Sequence, residues 1–443
     1  MDNVVLARAL FGTSMAFHII FATLGVGVPL MIVFAEAMAG ITKNKDYSIM
    51  AKRWTKAQAI LLGVAIPSGT IVGVMLSLLW PGFMEIVGQV IAVPFQVELW
   101  AFFLEALFMS IYIYAADRLS RNLRIVSVLM VALGASASAV LITNVHAWMN
   151  TPRGFRIEDG SVTDVNQLAA IFNPSFAVTA IHVVASAYMT GAFCIGSVAA
   201  YKLLKRDRPE RERAYHRKSL QLAMGVGLVC SLATAVNGHY TAQMLHHYLP
   251  LKLAAAEGLF ETQAYAPLEI FGRTSIEEQR VVGGIEVPWA LSFLATDRFD
   301  GVVRGLNDYP QELWPPLYVH TLFNVMVLIG GALLGLSALA MFILFIRKRM
   351  LPRWLLVVLL SAGPLALIGI ESGWVFSCTG RQPWVISGVQ LTADAATRSD
   401  DIGILFVLFL GLYALLMTIT IFVMRFYFRR RPVGRELLPV EGS

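Results

Sequence analysis

Five residues in this 443-residue sequence place reactive groups inside long apolar stretches. His18 falls in the middle of the first stretch. Glu98 and Glu105 stand seven apart in Glu98-Leu99-Trp100-Ala101-Phe102-Phe103-Leu104-Glu105. Seven residues make two helical turns, so both carboxyls share one helix face. There they can carry protons or ligate a metal. His182 lies near the end of the fifth stretch and Met326 in the seventh. A histidine with a methionine is an axial pair for a low-spin haem, and the methionine raises its potential. Each residue alone has a plainer reading: a hydrogen-bonded core histidine, a pair of interhelical carboxyls, one methionine among 18. Ionisable groups are expensive in hydrocarbon and mark function by default. On residue types alone, the chain reads as a membrane protein with buried His and Glu, either a haem protein or a proton-coupled transporter without haem.

The elements that must position these groups follow from composition. Hydrophobic residues make up 57% of the chain and charged residues 14%. Soluble domains carry about 25% charge, so an ordinary soluble enzyme, a disordered chain and a fibre are all excluded. Nine stretches reach the roughly 20 apolar residues that a bilayer crossing requires. They fall at about 9–38, 56–79, 97–116, 125–148, 176–201, 219–238, 318–346, 353–375 and 402–427. The first is too long for the apolar region of a cleaved signal and is read as a retained span. Of the 35 Lys and Arg, 25 fall in alternate loops and the tail, including Lys43, Arg118, Lys205, Arg347 and Arg429. The positive-inside rule then predicts an N-terminus outside and a C-terminus inside. These cations face lipid headgroups, and no nucleic-acid partner is expected. The loop 239–317, before the seventh span, is long enough to be functional. One polytopic domain over 1–443, with that loop inserted outside, is the expected organisation. Three cysteines without a CxxC or CxxCH motif support neither a zinc site nor a covalently attached haem.

Read as strings, these segments resemble subunit I of the cytochrome bd family of quinol oxidases. The matching pieces are His18, Leu78-Leu79-Trp80-Pro81, Glu98 to Glu105, Ala147-Trp148-Met149-Asn150-Thr151-Pro152 and Ile181-His182-Val183-Val184-Ala185-Ser186. They continue with Lys252-Leu253-Ala254-Ala255-Ala256-Glu257-Gly258, Ser292-Phe293-Leu294-Ala295-Thr296, Gly373-Trp374 and Gly380-Arg381-Gln382-Pro383-Trp384. The Leu-Leu-Trp-Pro string and the Glu spacing look closest to the cyanide-insensitive branch. The resemblance implies an all-α multi-pass protein of a prokaryotic cytoplasmic membrane, with a second membrane subunit as partner. It implies oxidation of quinol and reduction of oxygen to water. By the same resemblance, His182 and Met326 would ligate a low-spin haem b, and His18 one of the high-spin haems, of type b or d. Glu98 and Glu105 would serve ligation or proton delivery. Lys252 and Glu257 would belong to a quinol loop. Arg381, Trp374, Gln382 and Trp384 would lie near the haems, with Arg381 pairing a propionate.

The chain departs from the family pattern at four places. Cys378 stands where a haem-ligating Glu is expected, three residues before Arg381. Met75 replaces a Glu of the second span, His146 an Asn, and Leu249 a Gln of the quinol loop. The residues for the low-spin haem are kept, whereas three departures touch the high-spin region. Two expectations follow. Either Cys378 or His146 supplies the lost ligand, or the chain is a degenerate paralogue keeping one low-spin haem b as an electron-transfer or partner subunit.

Overall fold

The computed structural model describes residues 3–115, 118–205, 207–399 and 401–438. Among them, nine helices are long and apolar enough to cross a membrane. The chain begins with α1 (Asn3–Thr42) and α2 (Lys45–Leu79), then a short α3 (Pro81–Val90), α4 (Ala92–Ala115) and α5 (Arg121–Asn150). A small hairpin, β1 (Arg156–Glu158) and β2 (Ser161–Thr163), and α6 (Gln167–Ile171) lead into α7 (Phe176–Leu204) and α8 (Glu210–Tyr248). The long loop is itself structured. It holds α9 (Pro250–Glu257), the hairpin β3 (Leu268–Ser275) and β4 (Arg280–Val287), and α10 (Ala290–Thr296). Then come α11 (Val319–Met341, running on as a π turn to Ile346) and α12 (Arg353–Thr379). The chain closes with β5 (Trp384–Ile386), β6 (Gln390–Leu391), α13 (Thr392–Ala395), α14 (Ile402–Arg430) and α15 (Val433–Glu436).

All nine expected spans are present among the described residues, most of them longer than expected. The expected loop start at 239 needs correction, because α8 continues to Tyr248. Its polar outer turns lower the hydropathy without breaking the helix. Pro250 then opens α9 at a first-turn position, where its missing N–H costs nothing. The stretch between the second and third expected spans contains α3, which Pro81 starts in the same way.

The bundle packs through small residues, which membrane helices need because lipid offers no hydrophobic drive to associate. Central α1 lies against α2, α5, α7 and α14. It meets α7 at Gly27 and Gly191, where a Cβ on Gly27 would stand 2.3 Å from the Ala187 carbonyl oxygen. Ser197 of α7 reaches α12 beside Pro364, where its Oγ accepts from Gly363 N–H at 2.7 Å and donates to Leu359 O at 2.9 Å. A second core joins α7, α8, α11 and α12 around Phe193, Met224 and Leu359.

The two ends differ in chemistry. At the basic end, fully buried Asp46 accepts from both Arg211 and Lys218, tying α2 to α8. Glu36 of α1 accepts from Tyr112 of α4 close by. At the other end sit the long loop, α9 and the turn before β5.

Candidate functional site

His18 of α1 meets α2 at Ser68 and Gly69. Its Nδ1 is 2.9 Å from Ser68 Oγ, which donates its own hydrogen to Ala65 O at 3.0 Å. Ser68 has one hydrogen and has spent it, so the His18 Nδ1 must carry the N–H. That leaves Nε2 with its lone pair free, the tautomer that binds a metal. Gly69 makes room for the ring, since a Cβ there would lie 2.9 Å from His18 Cε1.

Glu98 and Glu105 face α5 from α4, as their spacing predicts. Glu98 accepts from Ser138 at 2.6 Å. Glu105 is buried, and its Oε1 has no hydrogen-bond partner. Gly134 lets the helices close together, because a Cβ there would stand 3.0 Å from both Ala101 O and Glu105 N.

His182 on α7 and Met326 on α11 belong to helices that both pack on α8 and α12. The buried His182 Nδ1 has no partner. Met326 reaches across to α12, where a Cβ on Gly373 would stand 2.8 Å from its sulfur. Next to Gly373, Trp374 sets its ring 5.4 Å from that of His146 on α5.

The end of α12 gathers the remaining groups. His146 Nε2 is 2.7 Å from Ser377 Oγ. Lys252, on α9, donates to Asn150 Oδ1 at 3.0 Å and to Ser377 O at 2.8 Å. Burial, with the nearby Arg381 cation adding to it, pushes the Lys252 ammonium down to about 7. Arg381 is buried as well, with Nε and Nη1 unpartnered. Burial lowers its affinity for its proton. Gln382 accepts from Thr392 at 2.9 Å, and Trp384 N–H donates to Arg381 O at 3.1 Å, which fixes the turn after α12. Glu257, at the far end of α9, is buried with Oε2 unpartnered, and burial beside Glu269 pushes it up to about 8.

Two of the four departures, His146 and Cys378, thus converge on one place. Met75 instead joins an apolar cluster with Leu10, Trp80 and Trp148, where no charge is called for. Leu249 packs beside the cluster of Leu245 and Leu253, under the long loop. Sequence reasoning missed Glu371, three residues before Trp374 on α12, whose Oε1 is buried without a partner. The rule that singles out Glu98 and Glu105 applies to it equally. Ser68 and Asn150 gave no signal, since such residues are ordinary in helices.

These donors suit haem. A porphyrin supplies four ligands to its iron, so the protein need offer only one or two. Among the described residues no three His, Cys, Asp or Glu converge as a metal cage. Single ligand-ready groups on separate helices, together with a buried guanidinium in need of an anion, fit a macrocycle with propionates.

Comparison with known proteins points the same way. The family model described as "Cytochrome bd terminal oxidase subunit I" matches residues 6–432. The chain is 58% identical, over the whole of both chains, to a Bacillus subtilis (strain 168) protein provisionally named cytochrome bd menaquinol oxidase subunit I. It is 31% identical to the cytochrome bd ubiquinol oxidase subunit 1 of the same organism, covering 91% of this chain and 88% of the relative. Among solved structures, it matches a chain of the bd oxidase from Geobacillus thermodenitrificans with a TM-score of 0.92 and 42% identity, covering 97% of this chain and 99% of the other.

Proposed function

The chain belongs to the cytochrome bd terminal oxidase subunit I family, and on that premise we propose how its own residues divide the work. It is a multi-pass membrane subunit of a quinol:oxygen oxidoreductase and a haem protein. Like its relatives, it works with a second membrane subunit, quinol and oxygen. Bound haems supply the one-electron steps between a two-electron donor and a four-electron acceptor.

In this reading, His182 and Met326 hold the low-spin haem b. His18 holds one high-spin haem through Nε2, and the Ser68 bond keeps that nitrogen free. The Ser68 hydroxyl, 2.9 Å from His18 Nδ1 and 3.0 Å from Ala65 O, is the observation that carries the assignment. Arg381 pairs a propionate with the guanidinium nitrogens that no protein group satisfies. Trp374, Gln382 and Trp384 line the same end of α12. Glu105 and Glu98 hold and pass protons along the α4–α5 interface, Glu98 from its bond to Ser138. Lys252 and Glu257 bind and orient quinol at the two ends of α9. The basic end faces the cytoplasm, which places α9 and the long loop on the outer side of the cytoplasmic membrane. Residues 1–443 form one membrane domain.

The altered ligand position is assigned to Cys378 ahead of His146. Cys378 stands at the position of the missing Glu and close enough to Arg381 and Lys252 to interact electrostatically, whereas His146 lies on α5, with Nε2 2.7 Å from Ser377 Oγ. The deciding experiment is the reduced-minus-oxidised spectrum of the purified complex with haem counted per chain. Three haems with a band in the red indicate one haem of type d, and three without it indicate haem b throughout. One haem per chain would overturn the high-spin assignments.

A further inference from the structure

His320 has no part in the roles above. It stands at the start of α11, fully buried, six residues before Met326. Its ring touches two segments distant in sequence. Nδ1 lies 2.8 Å from the carbonyl oxygen of Ala256, and Nε2 lies 3.1 Å from that of Phe271. The first is one of the last carbonyls of α9, which the helix itself leaves unsatisfied. The second belongs to a left-handed residue of β3, with φ of 65°. The N–H of Phe271 also ends on α11, donating to Asn324 Oδ1 at 3.0 Å. Both polar groups of one strained residue are therefore captured by side chains one turn apart on α11.

The shorter of the two, from Nδ1 to Ala256 O, is a hydrogen bond that a ring N–H donates, and the amide nitrogen of Asn324 stands 3.3 Å from Nε2. The residue after Ala256 is Glu257, whose buried carboxyl lacks a partner on Oε2. Gly258 then turns the chain in the left-handed region, at φ of 68°. A Cβ there would stand 2.5 Å from Val281 of β4 and 3.5 Å from His320 Nδ1. One ring thus fastens α9, the hairpin and α11 at a single point.

We propose that His320 is a positioning residue for quinol oxidation. It locks the helix bearing Lys252 and Glu257, with the adjoining hairpin, to the helix bearing Met326, so that the Lys252 and Glu257 side chains are held in place to bind quinol. The inference rests on the assignment of α9 to quinol. Small displacements of a reacting group cost large factors in rate and binding, which is why such a lock matters.

The test is His320→Phe, which keeps a ring and removes its polar contacts, assayed as the whole complex with a short-chain quinol. KM is expected to rise about tenfold while kcat and the low-spin spectrum change little. His320→Gln, whose amide carries two N–H, is expected to recover part of the loss. An unchanged KM in His320→Phe overturns the proposal, provided that Lys252→Ala and Glu257→Gln do change it. If those two also leave KM unchanged, the quinol assignment of α9 falls first and takes the role of His320 with it. Should His320→Phe fail to hold haem, hydrogen exchange on the unaltered complex decides. The amides of Gly258, Leu259 and Phe271 are expected to exchange together, as one opening event. Independent rates overturn the lock.

Discussion

Replacing Ser68 by Ala should loosen one haem without touching its ligand. The hydroxyl lies 2.9 Å from His18 Nδ1, its one hydrogen-bond partner among the described residues, and is itself fixed by its 3.0 Å bond to Ala65 O. Its loss strands a buried N–H, at a cost of about 1–3 kcal/mol. It also frees the hydrogen to move to Nε2, the nitrogen proposed to meet the iron. Lost partners of metal-bound histidines cost roughly 10- to 100-fold in affinity, which is the same range. The expected result is faster release of one high-spin haem to a haem-scavenging apoprotein, by about 10- to 100-fold, with the low-spin bands intact. Ser68→Thr keeps a hydroxyl and should retain most of the affinity. Unchanged release and an unchanged high-spin spectrum in Ser68→Ala would refute the ligand role of His18 Nε2.

Three further outcomes are expected. His182→Ala and Met326→Ala should each abolish the low-spin signal while the protein still inserts, so a wild-type spectrum in both would sink that pair. Cys378→Ala should shift the high-spin spectrum, and Cys378→Glu should shift it again; no change in either returns the thiol to packing. Glu257 is pushed up to about 8 from an ordinary value of 4.5. A raised carboxyl favours the folded loop below about 4.5, and this contribution is lost as pH climbs through about 8. Protease resistance of the long loop should therefore fall across that window more steeply than in Glu257→Gln, and parallel curves would contradict the burial of its carboxyl.

The spans were legible because hydrocarbon thickness dictates a length and a composition, and few sequences meet both by accident. Their ends were not. The segment from 239 to 248 carries His239, His246 and His247 yet stays helical, since backbone bonding does not stop where hydropathy does. His18 was legible by type, but its tautomer was not, because that depends on a serine 50 residues away. The convergence of His146 with Cys378 could be suspected only through likeness to a family, since α5 and α12 lie far apart in the chain. Glu371 and Glu36 were within reach of the rule applied to Glu98 and Glu105. His320 was not, because a histidine at the edge of a span reads as solvated until two backbone carbonyls are seen to face it.

The buried carboxylate at the start of α2 has a consequence for how the protein is made. The partners of Asp46 lie 165 and 172 residues further along the chain. At about 5–20 residues per second, roughly 10–30 s of translation separate the acid from the bases that neutralise it. Over that interval the nascent chain grows to five membrane-length helices, α1, α2, α4, α5 and α7, with an acid that cannot be sealed in. Docking of α8 ends this state in one event, so the arrival of Arg211 and Lys218 is a natural checkpoint between a half-built chain and one fit to receive its cofactors.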